Sequence, residues 1–125
     1  MAKPKPEDTN NLFVEALNAG KLDALAALYE PQATLMASPG KLVTGTAAIR
    51  ESLFGFLAGK PKMSLASRLV AQAGDMAVTS AKWEMSMTGP DGKPSQMTGQ
   101  SIEVVRQHPD GRWLYVIDLP FGAGA

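Results

Sequence analysis

The N-terminal part of the chain contains a continuous segment, residues 12–50, that reads LFVEALNAGKLDALAALYEPQATLMASPGKLVTGTAAIR. Its first apolar residues recur at one-turn spacing, at Leu12, Phe13, Ala16 and Leu17. This spacing predicts an amphipathic helix, and Gly20 stands where helix C-termini favour a left-handed residue. The same spacing then recurs at Leu22, Leu25, Leu28 and Tyr29. It predicts a second helix, which Pro31 ends because proline lacks the N–H that another turn needs.

The rest of this segment predicts a strand, a tight turn and a third helix. Residues 33–36 are expected to be extended, and SPGK at 38–41 is expected to turn, because proline fixes its own φ and glycine supplies a positive one. A short return strand follows at 42–43. Thr46 is the expected N-cap of the third helix, which ends at Gly59. Its apolar stripe consists of Ile49, Leu53, Phe56 and Leu57.

From Met63 the apolar residues follow a period of two, which is typical of strands. The strands are predicted at residues 64–72, 76–87, 97–107 and 112–119. The segments 88–96 and 108–111 are rich in Gly, Pro and Asp, so they are expected to form the turns of an antiparallel meander. The inward face of the second of these strands is expected to carry Ala77, Thr79, Ala81, Trp83, Met85 and Met87.

Composition restricts the class of protein further. A chain of 125 residues is expected to form one domain, covering residues 11–122 after a flexible tail at 1–10. Its 12 basic and 12 acidic residues leave no net charge, so neither nucleic acid nor a membrane is expected as a partner. No cysteine is present to form a disulfide or a thiolate metal site. Because we find neither a spanning apolar run nor a signal peptide, we expect a cytoplasmic protein.

Two pairs of motifs carry a resemblance to a known superfamily. The motifs ALNAGKLDALAALYEPQATL and TGTAAIR resemble the N-terminal half of the ketosteroid isomerase and SnoaL-like proteins of the NTF2-like superfamily. The motifs GDMAVTSAKWEMSMTG and RQHPDGRWLYVIDLPFG resemble its DUF4440 branch. The resemblance covers roughly residues 11–122. It implies an α+β cone in which three N-terminal helices pack on a strongly curved, mainly antiparallel sheet, around a cavity for a small, mostly apolar ligand. A homodimer is also implied.

The sequence departs from ketosteroid isomerase at the catalytic positions. That enzyme uses an aspartate base, together with a tyrosine and a protonated acid that hydrogen-bond the enolate oxygen. Alignment of the first helix puts Phe13 at the tyrosine position. The base position falls on Ala37, or on Ser38 if the proline is aligned instead. Only the protonated acid has a counterpart, Glu103, so we expect negligible steroid isomerase activity.

The resemblance and the strand pattern together predict a ligand pocket. Its expected lining is Phe13, Met36, Trp83, Met85, Glu103, Val105 and Asp118. Phe13 and Trp83 also fit the interpretation of ordinary core residues, which is what aromatic side chains at helical or strand spacing usually are. The methionines suit either a pocket for varied apolar ligands or simple filling of the core.

The two acidic candidates, Glu103 and Asp118, have alternatives of their own. Glu103 faces outward if Ile102 and Val104 occupy the interior; if it faces inward, desolvation should raise its pKa. Asp118 is either a buried structural aspartate or a functional group. On the last strand it is expected to share its face with Leu114 and Val116.

Three hypotheses for function follow. The first is a binding protein, or an undefined enzyme, that orients a lipophilic ligand with Glu103, Asp118 and Gln100. The second is an isomerase or cyclase acting on a carbonyl compound, with Asp118 or Glu103 as its base. The third is a non-catalytic association module whose cone is filled by its own side chains. No cofactor or metal is expected, because the only histidine, His108, lies in a turn and is expected to be exposed to solvent.

Overall fold

The computed structural model describes residues 3–122 and contains three helices and six strands within that range. The helices are α1 (Asp8–Asn18), α2 (Leu22–Ala26) and α3 (Thr46–Leu57). The strands are β1 (Tyr29–Ser38), β2 (Lys41–Thr44), β3 (Lys62–Ala73), β4 (Met76–Thr88), β5 (Pro94–Gln107) and β6 (Trp113–Leu119).

The six strands form one mainly antiparallel sheet, in the order β2-β1-β6-β5-β4-β3. Strands β3 to β6 form the predicted antiparallel meander, while β1 pairs with β6 in parallel. Helix α3 connects β2, at one edge of the sheet, to β3 at the other. The helices pack on the concave face, with α1 against β3 and β6 and α3 against β1. This is the predicted α+β cone.

The first helix begins earlier and the second ends earlier than the sequence indicated. Helix α1 starts at Asp8, and Thr9 and Asn10 are buried, so the expected tail at 1–10 is wrong for residues 8–10. Helix α2 ends at Ala26, and Tyr29 belongs to β1, where it is opposite Tyr115 of β6. The apolar spacing around residue 28 fits both structures, and the pairing with β6 decides in favour of the strand.

The third helix lacks the predicted side-chain cap. Gly45 is its N-cap, with φ 94° and ψ 158°, and Thr46 is already helical. No side chain makes a capping hydrogen bond, although the Gly45 carbonyl accepts from the Ile49 N–H at 3.0 Å. The prediction that Thr46 caps the helix was therefore wrong, because the left-handed turn demanded by the backbone selects glycine at the cap.

Strand β6 contains an irregularity that sets the direction of its polar side chains. Val105 of β5 is opposite Tyr115, but Val104 is opposite Ile117, so Val116 is an extra residue in β6. A bulge of this kind resets the alternation of side chains along a strand. Asp118 consequently shares the concave face with Tyr115, and the expectation that it would share a face with Leu114 and Val116 was wrong.

The side chains of strand β5, in contrast, alternate regularly between the two faces of the sheet, and Glu103 is on the inward face. Ser101, Glu103 and Val105 are buried, while Ile102 and Val104 are half-buried on the outer face. Glu103 is only 3% exposed. Two acidic residues, one from β5 and one from β6, therefore point into the concave side of the sheet.

Candidate functional site

A cavity of about 310 Å³ lies between the helices and the concave face of the sheet. Its wall is mostly apolar. Aromatic rings come from Phe13, Tyr29, Phe56, Trp83, Tyr115 and Phe121. Methionine side chains come from Met36, Met63, Met85 and Met97. An enclosed apolar wall with a few polar groups is the usual form of a site for a small molecule.

Glu103 and Asp118 are the only charged residues among the described ones that line this cavity. They are directly opposite each other on β5 and β6. Both are buried, with 3% and 5% of their surface exposed. Two buried carboxyl groups on facing residues of neighbouring strands repel each other when both are ionised. The pair therefore favours a state that holds one proton.

The pKa of Asp118 is raised by its surroundings. Burial raises the pKa of Asp118 to about 7, and the charge of Glu103 acts in the same direction. The Tyr29 hydroxyl donates a hydrogen bond of 2.6 Å to Oδ2 of Asp118, which opposes the rise. Near neutral pH the carboxyl group of Asp118 can therefore both accept and release a proton.

Glu103 is held by a hydrogen-bond network that reaches the first helix. Its Oε1 accepts from Thr79 Oγ1 at 2.8 Å and from Asn10 Nδ2 at 3.0 Å. The Tyr115 hydroxyl donates to Oδ1 of the same Asn10 at 2.7 Å, which fixes the orientation of the amide. Burial raises the pKa of Glu103, as expected for the inward position, and hydrogen bonds from Ser101, Asn10 and Thr79 oppose the rise.

Trp83 joins the cavity to the C-terminal end of the described chain. Its indole N–H donates to the Pro120 carbonyl at 2.7 Å, and its ring meets the Phe121 ring edge-on with centroids 5.9 Å apart. A Cβ at Gly99 would lie 2.4 Å from the Trp83 ring, so only glycine leaves room for the indole on β5. These contacts hold residues 120 and 121 beside the cavity.

The SnoaL-like domain family matches the chain over residues 11–116. The chain belongs to this family. A search of curated protein sequences gave no match.

Solved structures agree with the SnoaL-like fold. A ketosteroid isomerase-like protein from Erwinia carotovora atroseptica is 19% identical, with a TM-score of 0.79 over 90% of this chain and 89% of that one. An NTF2-like superfamily protein from Salmonella enterica serovar Typhimurium is 17% identical, with a TM-score of 0.79 over 90% and 84% of the two chains. ActVI-ORFA from Streptomyces coelicolor is 14% identical, with a TM-score of 0.73 over 89% of each chain. At these identities the likeness shows the fold alone.

Most of the predicted pocket residues line the cavity of this SnoaL-like domain. Those that do are Phe13, Met36, Trp83, Met85, Glu103 and Asp118. Val105 does not, because it is fully buried in the core below the cavity. Gln100 is exposed and lies outside it. His108 was expected to be exposed, but it is half-buried, and its Nε2 lies 2.8 Å from a carboxylate oxygen of Glu30.

Three polar residues of the site were missed by the sequence analysis. Asn10 was assigned to the tail, Tyr29 to a helix, and Tyr115 was given no role. Simple alternation from Asp118 puts Tyr115 on the opposite face of β6, and only the bulge at Val116 brings the two residues to one side. Asn10 and Tyr29 required the structure, because their partners Glu103 and Asp118 are 93 and 89 residues away in sequence.

Within residues 3–122, no group of three or more His, Asp or Glu side chains is arranged to hold a metal ion. No helix in the same range is long and apolar enough to cross a bilayer.

Proposed function

We propose that this SnoaL-like domain binds a small, mostly apolar molecule in its cavity, with the polar group of that molecule against Glu103 and Asp118. The observation that carries the proposal is the cavity of about 310 Å³ itself, whose described lining is apolar except for a few polar side chains and these two acids. Burial of the apolar body supplies affinity, and the carboxyl groups supply orientation.

The open cavity also distinguishes this hypothesis from an association module. That alternative expected the cone to be filled by its own side chains. Glu103 and Asp118 instead line a cavity that no side chain fills. Burial of acidic side chains lowers the stability of the fold, and such destabilising groups are typical of functional sites.

A fluorescence titration with phenylnaphthylamine tests the proposal. This neutral probe becomes bright when it leaves water, and we expect saturable binding on the order of micromolar. Ala37→Phe, at the cavity wall, should abolish binding by filling the space. Ala71→Phe, on an exposed position of β3 outside the cavity, should leave binding unchanged. Absence of saturable binding by the unmodified protein, or equal effects of the two variants, would contradict the proposal.

A second candidate function is proton transfer on a carbonyl compound, of the isomerase or cyclase type. The observation in its favour is the raised pKa of Asp118, about 7, in an apolar cavity. A general base of that pKa is well matched to neutral pH and contributes roughly 10²–10⁴-fold to a rate. The Asp118 carboxylate would take the α-proton and leave an enolate, and the Tyr29 hydroxyl, which donates to Oδ2, would hold the carboxylate in position before the transfer.

Deuterium exchange tests this second candidate without knowledge of the substrate. A cyclic ketone such as α-tetralone in heavy water should exchange its α-protons faster with the protein than without it. Asp118→Asn should remove the acceleration, whereas Asp75→Asn, in the exposed turn between β3 and β4, should not. An acceleration that persists in Asp118→Asn would assign the exchange to another group.

A further inference from the structure

The floor of the cavity offers hydrogen-bond acceptors but few free donors. The Tyr29 and Tyr115 hydroxyls donate to Asp118 and Asn10, and the Trp83 indole donates to Pro120. The Asn10 amide donates to Glu103 and, at 2.9 Å, to Ser67. Ser101 donates to the Ala81 carbonyl at 3.4 Å. The other lining hydroxyls, of Ser38 and Ser52, lie on exposed or half-buried positions of β1 and α3.

One carboxyl oxygen of the acidic pair, by contrast, has no donor. Oδ1 of Asp118 accepts no hydrogen bond from the part of the chain that the structure describes, although the residue is 5% exposed and lines the cavity. Glu103 already has hydrogen-bond partners in Asn10 and Thr79, both on Oε1, and in Ser101. A carboxylate oxygen that faces an apolar cavity without a donor is costly, so Oδ1 of Asp118 points to a ligand that donates.

The charge and the aromatic content of the wall indicate which kind of donor fits. No lysine, arginine or histidine is among the described residues that line the cavity. The Tyr29 and Tyr115 rings lie 4.9 Å apart, and the Phe13 ring meets Tyr115 edge-on at 6.3 Å. Aromatic faces attract cations, most strongly where water is excluded. Negative charge surrounded by aromatic rings is therefore complementary to a positive ligand.

We infer that the ligand of this cavity carries a protonated amine, which donates to Oδ1 of Asp118 beside the Glu103 carboxyl group while its apolar body contacts the aromatic wall. This inference rests on the proposed function, since it names the chemical class of the molecule that the cavity holds. An ammonium group supplies up to three donors and neutralises the acidic pair, whereas a ketone supplies none.

The inference predicts a definite pH dependence. The titratable side chains around Asp118 are Glu103 on β5, Tyr29 on β1 and Tyr115 on β6. The described helices add no charged group to the cavity. An ammonium ion stabilises the ionised form of Asp118, so binding releases the proton that Asp118 holds. Affinity should therefore increase as pH rises, by at most about tenfold per pH unit, and become constant above the raised pKa of Asp118, about 7.

Competition against phenylnaphthylamine, with adamantylamine and adamantanone as competitors, tests the inference. The two compounds share one apolar cage and differ in the polar group. Above neutral pH we expect the amine to bind roughly ten- to hundredfold more tightly than the ketone, the ratio expected for one charge-assisted hydrogen bond. Below neutral pH the preference should shrink, because protonated Asp118 cannot pair with the ammonium ion and can donate to the ketone.

Two variants, each of which removes one carboxylate, test whether the preference for the amine arises in the cavity. Asp118→Asn should reduce the amine preference and remove its pH dependence near neutral pH, and Asp75→Asn should keep both. If the probe binds but the amine competes no better than the ketone at any pH, the inference is overturned and the proposed function stands. If the probe does not bind, both are overturned. An amine preference that is undiminished in Asp118→Asn would also contradict the inference.

Discussion

Asp118 and Glu103 hold two carboxyl groups in an environment that disfavours two negative charges. Burial is the first cause of the raised pKa of each, and for Asp118 the charge of its neighbour is the second. The folded protein therefore holds a proton that the unfolded chain releases at lower pH. A group of this kind stabilises the fold fully only below its unfolded pKa.

The first prediction concerns the pH dependence of stability. The free energy of unfolding should fall, by on the order of a few kcal/mol, as pH rises from about 4 to about 7, between the ordinary and the raised pKa of Asp118. In Asp118→Asn this fall should be largely removed, so the variant should equal the unmodified protein near pH 4 and exceed it near pH 7. Urea denaturation across this range measures the effect. A variant that is less stable at neutral pH would contradict the assignment.

A second prediction uses two glycines with opposite surroundings. Gly99→Ala should cost roughly 1–3 kcal/mol, because the new Cβ would overlap the Trp83 ring. Gly55→Ala, within α3, meets no atom within 4 Å and should add roughly 0.5–1 kcal/mol, because alanine loses less chain entropy in a helix. Thermal unfolding of both variants checks the pair. Equal effects would mean that Trp83 does not pack against Gly99.

The family resemblance identified the acidic residues better than local spacing identified their partners. The motif match put Glu103 at the position of a pocket acid while the strand pattern left its face open, and Glu103 is buried on the concave face. Tyr29 was assigned to a helix, since local spacing cannot report a bond to Asp118, 89 residues away. Val105 was assigned to the pocket on alternation alone, which separates inside from outside but does not separate core from cavity.

At the scale of elements, α3 shows how backbone conformation replaces a side-chain cap. The third prediction is that Thr46→Ala changes the free energy of unfolding by less than about 0.5 kcal/mol, instead of the roughly 1 kcal/mol typical of a cap residue. Gly45→Ala should be clearly destabilising, because its φ of 94° strains any side chain. Urea denaturation of both variants decides the matter. A large loss in Thr46→Ala would restore Thr46 as the cap.

The bulge in β6 is an element-scale feature that the sequence did not indicate. The strands themselves were predicted to within a few residues, because turn residues and the period of two mark them. A bulge depends on pairing with β5, and nothing in WLYVIDL distinguishes Val116 from its neighbours. Its effect on the site is direct, since it turns Asp118 towards the cavity on the same face as Tyr115.

At the scale of the whole molecule, the outer face of the sheet carries an apolar row. Val78, Val104 and Ile117 are cross-strand partners on β4, β5 and β6, and Ile117 is 38% exposed. Contiguous apolar surface of this kind is typical of an interface between copies of a chain. We propose a homodimer formed through this outer face.

The fourth prediction follows from that row. Sedimentation equilibrium at tens of micromolar, a concentration of the order at which specific dimers persist, should show a dimer. Val104→Lys should give a monomer, because it places a charge in the centre of the row. Leu12→Lys, on an exposed position of α1 in the helical layer, should remain a dimer. A monomeric unmodified protein would refute the proposed interface.

The sequence predicted the fold more completely than it predicted the polar contacts of the site. Helical spacing, turn residues and the family resemblance together predicted an α+β cone, because each reports a regularity repeated along the chain. The cavity floor depends instead on single contacts between distant elements, such as the bond between Asn10 and Glu103. One fold hosts many functions, so the site has to be argued from those contacts.

We propose that Asp118 and Glu103 face a cavity that takes up an apolar ligand. A carboxyl-carbon NMR titration of both residues, with and without phenylnaphthylamine, tests this proposal. We predict that Asp118 titrates near pH 7 and Glu103 above its ordinary range, and that the probe raises both values further by displacing water. Ordinary carboxyl pKa values that do not change when the probe is added would contradict the proposal that both residues face a ligand cavity.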